Sequence, residues 1–286
     1  MNSSYFAVFA SLMLVSCSAQ DAGKASTEPA AAAVDASVLL DAALNGPARS
    51  DDDRARDVWR HPRETLQFFG VEPSMTVVEI WPGGGWYTRI LAPYLKSGGG
   101  VYYAAQVDPS ASDRAAAAVD RFRSDFSNAD LFGEIKITTL DTGGIAPENS
   151  ADAVLTFRNV HNWLSSGKAE DNFKAFYRAL KPGGVLGVVE HRANEGAGEE
   201  DPSSGYVRES TVKALAEAAG FEFAGASEIN ANPKDTKDHP FGVWTLPPVR
   251  RSSASSGQED PDFDRAKYDA IGESDRMTLK FVKPQQ

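Results

Sequence analysis

The sequence predicts an α/β domain in which a mostly parallel sheet is covered by helices on both faces. Short β-branched runs alternate with helical stripes from residue 76 to the C-terminus, the pattern of strands joined by crossover helices. The first run ends in a glycine turn, Pro82-Gly83-Gly84-Gly85, and a second such turn, Lys181-Pro182-Gly183-Gly184, leads into a later run. Hydrophobic residues make up 42% of the 286 and charged residues 24%, so a sizeable core can form without staples. The single cysteine, Cys17, excludes an intramolecular disulfide and a cysteine-based zinc site.

At the N-terminus an apolar run over residues 5–15 is too short for a bilayer span of about 20 residues and fits the core of a secretory signal. Leu14-Val15-Ser16-Cys17 resembles a bacterial lipobox, so residues 1–17 are expected to be a signal peptide and Cys17 the site of a lipid anchor. That implies an exported, periplasmic protein anchored at the outer membrane; an uncleaved start would instead leave it inside the cell. From Ser18 to about Ala36 almost nothing large is available to bury, so a flexible tether is expected, with folding beginning between Val38 and Arg56. The boundaries follow as tether 18–45 and folded domain 46–286.

Within the domain, residues 76–80, 101–107, 134–140, 153–157 and 185–189 read as the first five strands, and 221–229 and 277–282 as two more. A helix over 86–91 is expected to stop at Pro93. Ser112 caps another whose Ala115, Val119, Phe122 and Phe126 recur at helical spacing, and Phe173, Phe176, Tyr177 and Leu180 mark a third. Glu209 to Ala219 is a fourth, with Gly220 at its C-cap. Residues 230–276 form a long, lid-like insertion between the last two strands, with a Ser-rich surface loop near 250–258.

Ligands of such sheets sit beyond the carboxyl ends of the strands. The segment Glu79-Ile80-Trp81-Pro82-Gly83-Gly84-Gly85-Trp86 lets backbone approach a ligand there. A dinucleotide is disfavoured, because Thr88 replaces the last glycine of its fingerprint and Gln106, not an acid, ends the second strand. The formal charge of −11, from 29 Lys and Arg against 40 Asp and Glu, argues against nucleic acid.

The ordered set of motifs resembles the class I S-adenosylmethionine-dependent methyltransferases, and more narrowly predicted exported bacterial members. Glu79 matches the family's acid after strand one, Gly83 and Gly85 two of its three glycines, and Trp81 replaces the first. Gln106 stands for the ribose-binding acid, Asp141 matches the acid facing adenine, and Asp152-Ala153-Val154-Leu155 runs on to Asn159. Leu180-Lys181-Pro182-Gly183-Gly184-Val185-Leu186 matches without gaps. The resemblance implies a Rossmann-like, seven-stranded sheet with an antiparallel last strand and S-adenosyl-L-methionine as cofactor. It implies donor contacts at Glu79, Gly83, Gly84, Gly85, Trp86, Tyr87, Gln106, Asp141 and Asn159, and methyl transfer to a small molecule. Because the donor is a cytosolic metabolite, a non-catalytic module binding a nucleoside-like ligand on the same fold is the alternative.

The chain has four histidines. His161 and His191 follow strands four and five at the ligand edge and are the candidate catalytic residues, able to act as bases near neutral pH. His61 and His239 each precede proline. His161, His191, Glu190 and His239 are of the residue types that hold zinc, but without helical His spacing or any Cys among them no metal is expected. Arg158 and Arg192 flank strand ends and are candidates for a substrate carboxylate or for surface ion pairs. The Arg56, Asp57, Arg60 and His61 cluster either reaches the donor or forms a solvated face.

Overall fold

The computed structural model describes residues 1, 7, 35–140, 144–196, 198–255 and 257–285. The chain divides at residue 33, and the fold below is that of the unit from Val34 onward. Apart from Met1 and Ala7, the expected signal peptide, with Cys17, the tether residues up to 34 and Asp141 lie outside the described residues.

The strands are β1 (Thr76–Ile80), β2 (Val101–Gln106), β3 (Ile135–Thr139), β4 (Ala151–Phe157), β5 (Leu180–His191), β6 (Glu222–Ser227) and β7 (Arg276–Val282), in one sheet of order β3-β2-β1-β4-β5-β7-β6. The first five are mutually parallel, and β7 pairs antiparallel with both β5 and β6. Consequently Arg276, the first residue of β7, lies opposite His191, the last of β5, and both sit at the carboxyl edge.

One face carries helices Ala36–Asn45, Pro62–Phe69, Thr88–Gly98 and Asp113–Asp125 over Val77, Ala104 and Leu155. The other carries Ala169–Ala179 and Glu209–Ala218 over Val78, Val154 and Leu186. Ser112 caps its helix by accepting from the Ala115 amide at 3.1 Å, and Gly220 closes another at φ 100°. Phe173 and Phe176 are fully buried.

Three expectations need correction. Residues 36–45 are helix rather than tether, because Leu40, Ala43 and Leu44 find a groove in the core that composition did not announce. The helix after β1 does not stop at Pro93 but runs through it to Gly98, held by burial of Ile90, Leu91, Tyr94 and Leu95 around the break. The fifth strand starts at Leu180, so Lys181-Pro182-Gly183-Gly184 is an irregular strand entry, marked by a register shift against β4. A Cβ at Gly184 would lie 2.9 Å from the Lys181 carbonyl oxygen. This motif lies at the amino edge, where Asp152 accepts from the Thr76 amide at 2.8 Å and from Lys181 Nζ at 2.6 Å. Its role there is to align β1, β4 and β5.

The insertion is tied down. Asn232 donates to the carbonyls of Ile271 and Glu273 at 2.8 and 2.7 Å, and Asp235 accepts from Tyr206 Oη and the Asp275 amide. It carries Trp244 to within 6.0 Å, ring to ring, of His161.

Candidate active site

The turn after β1 is built on left-handed backbone at Trp81, Gly83 and Gly85, with φ of 46°, 59° and 77°. Trp81 therefore keeps a conformation that favours glycine, although the residue is the family's departure. Its indole meets Trp163 edge-on at 5.6 Å, and its Nε1 is buried without a partner. A Cβ at Gly83 or Gly84 would meet nothing within 4 Å, so open space lies over the turn, whereas one at Gly85 would strike the Phe126 ring at 2.1 Å. Beside the turn, a cleft of about 460 Å³ runs over the ends of β1 and β2, walled by Trp81, Trp163, Val107 and Asp108.

Glu79 is 2% exposed beneath the turn, where it accepts from Thr88 Oγ1 at 3.0 Å and from Tyr102 Oη. Burial raises its pKa to about 7, against the two hydroxyls that favour the charged form. Its observed contacts brace the turn from below. Gln106 is buried at the end of β2 with its Nε2 unpartnered, an orphan donor facing a ligand edge. Asn159 donates to the Ile80 carbonyl at 2.9 Å and so links the turn to the end of β4.

Trp86 and Tyr87 correct the reading of them as donor walls, since both point into the core. Trp86 Nε1 donates to the Asp53 carbonyl at 3.2 Å, with Arg49 and Arg60 over its ring. Tyr87 stacks on Phe157 at 3.6 Å and donates to the Arg60 carbonyl. They clamp the 49–60 segment to the turn.

His161 and His191 come together, with ring centroids 5.6 Å apart. His161 is the second residue of the helix Val160–Ser165, and its Nδ1 lies 3.1 Å from Glu190 Oε1. Glu190, fully buried at the end of β5, also accepts from the amides of Val160 at 2.6 Å and His191 at 2.8 Å. The carboxylate thus caps the helix and orients the imidazole, and Nδ1–H donation leaves Nε2 as the basic nitrogen. His191 Nδ1 meets Ser274 Oγ at 2.5 Å. Burial, then the charges of Arg276 and Arg158, push the His191 pKa well below its ordinary value, so it is neutral at pH 7.

His239 belongs elsewhere, paired with Asp235 at 2.7 Å, and His61 is the left-handed residue before Pro62 with its Nδ1 buried and unpartnered. Among the described residues His161, Glu190 and His191 offer three ligand atoms within 4.8 Å. They do not suit a cation. Glu190 is already taken by backbone N–H groups, and Arg60, Arg158 and Arg276 raise the local potential.

Those arginines are what sequence reasoning weighed least. Arg192 is spent on Asp275, Glu228 and Glu209, a structural knot. Arg56, Arg60 and Arg276 share one carboxylate, Glu273. Arg276 had a readable signal: an antiparallel last strand places its first residue, not its last, at the ligand edge.

A seven-stranded sheet of this order, with β7 antiparallel, is the class I methyltransferase fold. Residues 78–188 match the family described as a methyltransferase domain. Geranyl diphosphate C-methyltransferase from Streptomyces coelicolor A3(2) is 15% identical with a TM-score of 0.52, over 85% of this chain and 84% of that one. The [4+2]-cyclase SpnF is 18% identical at 0.51, over 87% and 92%. A SAM-dependent methyltransferase from Aquifex aeolicus is 20% identical at 0.47, over 69% and 94%. No curated protein matches the chain.

The residues present fit S-adenosylmethionine. Gly83 and Gly84 leave a cradle that a side chain would fill, and the orphaned Gln106 Nε2 is an unused donor at the end of β2.

Proposed function

We propose that the protein transfers a methyl group from S-adenosylmethionine to a small-molecule acceptor, with His161 as general base. The single observation that carries this is the His161–Glu190 pair, set beyond β4 and β5 next to the turn that fits the donor. Bound S-adenosylmethionine supplies a methyl already activated on sulfonium, so the protein's task is to align the acceptor and accept a proton. Glu190 holds the His161 ring, and Nε2 takes the acceptor's proton. Neutral His191 and Trp244 wall the acceptor. Gln106 and the amides of the turn orient the donor. That geranyl diphosphate C-methyltransferase shares the fold supports a small acceptor.

Calorimetric titration with S-adenosylmethionine and S-adenosylhomocysteine tests the donor, and transfer of labelled methyl across a small-molecule panel tests the acceptor. His161→Gln is expected to keep donor affinity within about twofold and lower turnover about 100-fold, within the range of general-base catalysis. Loss of donor affinity in that variant would make His161 part of the scaffold. Binding without transfer to any panel member would favour the alternative, a nucleoside-sensing module, which the fold's use by a cyclase keeps in play.

The same proposal places the protein outside the cytoplasm on a lipid anchor at Cys17. Palmitate labelling that persists in Cys17→Ala would refute the anchor.

A further inference from the structure

The insertion between β6 and β7 walls a cavity larger than the cleft over β1 and β2. It holds about 640 Å³ and is lined by Trp244, Val249, Arg250 and Arg251 of the insertion and by Arg114 of the helix Asp113–Asp125. A volume of that order suits a small-molecule ligand. Two residues tie the cavity to the rest of the site. Arg114 also lines the cleft over β1 and β2 and the groove over Gly83 and Gly84, so the three spaces meet at one side chain. The Trp244 indole lines the cavity and meets the His161 ring edge-on at 6.0 Å.

The insertion's side of the cavity is fixed by its own hydrogen bonds. The Arg251 amide donates to the Trp244 carbonyl at 2.7 Å, and Ser252, 7% exposed, accepts from the Asp260 amide at 3.0 Å. Arg250 is neutralised by Asp269 at 2.6 Å. Arg251 lies over the Phe241 ring at 5.1 Å and donates to the carbonyls of Ser253 and Ala254, so its charge meets no carboxylate. Arg114 makes no hydrogen bond or ion pair with any described residue. Glu259 is the one carboxylate among the described lining residues. Two guanidiniums without an acidic partner therefore face one acid, in a chain whose overall charge is −11. Beside this charge lie two apolar surfaces, the indole of Trp244 and Val249, which is 58% exposed and gains by being covered.

We infer that this cavity receives the methyl acceptor, and that the acceptor is an amphipathic acid. Its apolar body lies on Trp244 and Val249, and its anionic group reaches Arg114 and Arg251, whose guanidinium forks give charge-assisted hydrogen bonds. Trp244 holds the body of the molecule towards His161, and Arg114 holds its charge beside the donor cleft. The acceptor's role rests on the methyltransferase reading; the cavity's preference for such an anion does not.

The test uses the full chain with Arg114→Gln, Arg251→Gln and Trp244→Ala. Anilinonaphthalene sulfonate is the probe, an apolar body with one anionic group, and phenylnaphthylamine is the same body without the charge; both are followed by fluorescence. The wild type is expected to bind the sulfonate roughly tenfold more tightly than the neutral amine, as for one charge-assisted hydrogen bond. Either arginine variant should weaken the sulfonate about tenfold and leave the amine unchanged. Trp244→Ala should weaken both probes, and added salt should lessen the preference for the anion. Absence of saturable sulfonate binding, equal affinity for the two probes, or sulfonate affinity unchanged in both arginine variants overturns the site. The acceptor class is read by pairing each acid of the labelled-methyl panel with its amide. Transfer confined to the acids is expected, and equal transfer to the amides overturns the class. Failure of S-adenosylhomocysteine to bind, or transfer to no panel member, would instead count against the methyltransferase reading, and the sulfonate titration still decides the cavity. Circular dichroism of the variants matching the wild type establishes that folded proteins are being compared.

Discussion

Two buried glutamates lie on either side of the ligand edge, and their surroundings drive them in opposite directions. Glu79, under the glycine turn, has only hydroxyl partners, and burial lifts its pKa to about 7. Burial also presses Glu273 upward, but Arg276, Arg60 and Arg56 outweigh it and bring it down to about 2. The contrast teaches that depth alone does not set protonation: the supply of cations does. The turn side of the edge is held by hydroxyl hydrogen bonds and close packing, and the β4–β5–β7 side is held by charge.

The sharpest way to break the comparison is Glu273→Gln. It strands buried guanidiniums, and an unfolding free energy lower by about 3–5 kcal/mol is expected in urea titration. A loss below about 1 kcal/mol would mean that the arginines neutralise one another's burden through water, against the charge-held picture.

Next comes acid. A carboxyl whose folded pKa is depressed stabilises the fold above its unfolded value near 4.5, and that contribution disappears as pH falls towards about 2. Wild type should therefore lose stability over this window, and Glu273→Gln should lose less. Parallel curves for the two proteins would remove Glu273 from the explanation.

Glu79 gives the opposite slope. Its folded pKa is raised, so its contribution is full below about 4.5 and is lost as pH climbs to about 7. Glu79→Gln imitates the protonated form and is expected to gain about 1–3 kcal/mol at pH 8 relative to wild type, with no change at pH 4. Destabilisation at pH 8 would show that the charged form is the one the turn uses.

The smallest effect separates packing from ligand contact on the turn itself. Gly85→Ala meets Phe126 and requires a left-handed alanine, and should cost about 1–3 kcal/mol. Gly84→Ala has open space and should change stability by less than about 0.5 kcal/mol while weakening S-adenosylhomocysteine binding. Unchanged binding in Gly84→Ala would move the donor away from the turn.

Much of this was legible in the sequence where the signal is local. The strand at 76–80 is bounded by its own residues, and Ser112 and Gly220 announce helix ends through side-chain or backbone chemistry carried on the spot. His161 and His191 were found because strand order alone puts residues after β4 and β5 at one edge. Trp86 and Tyr87 were misplaced because their spacing fixes proximity to the turn and not the side to which their rings point. The helix at 36–45 was missed because Val38, Leu39, Leu40 and Leu44 follow directly on a run of small residues, and the stretch packs only where a groove receives Leu40 and Leu44.

The sequence by itself determined the α/β alternation, the turn after β1 and the histidines at the carboxyl edge. These follow from periodicity, glycine and chain order, which act over a few residues. Only the tertiary structure decided that Glu190 holds His161, that Arg56, Arg60 and Arg276 share Glu273, and that Glu79 and Glu273 titrate apart. Charge interactions and desolvation depend on which distant segments meet in space, and residues such as Arg60 and Glu273 are 213 positions apart in the chain.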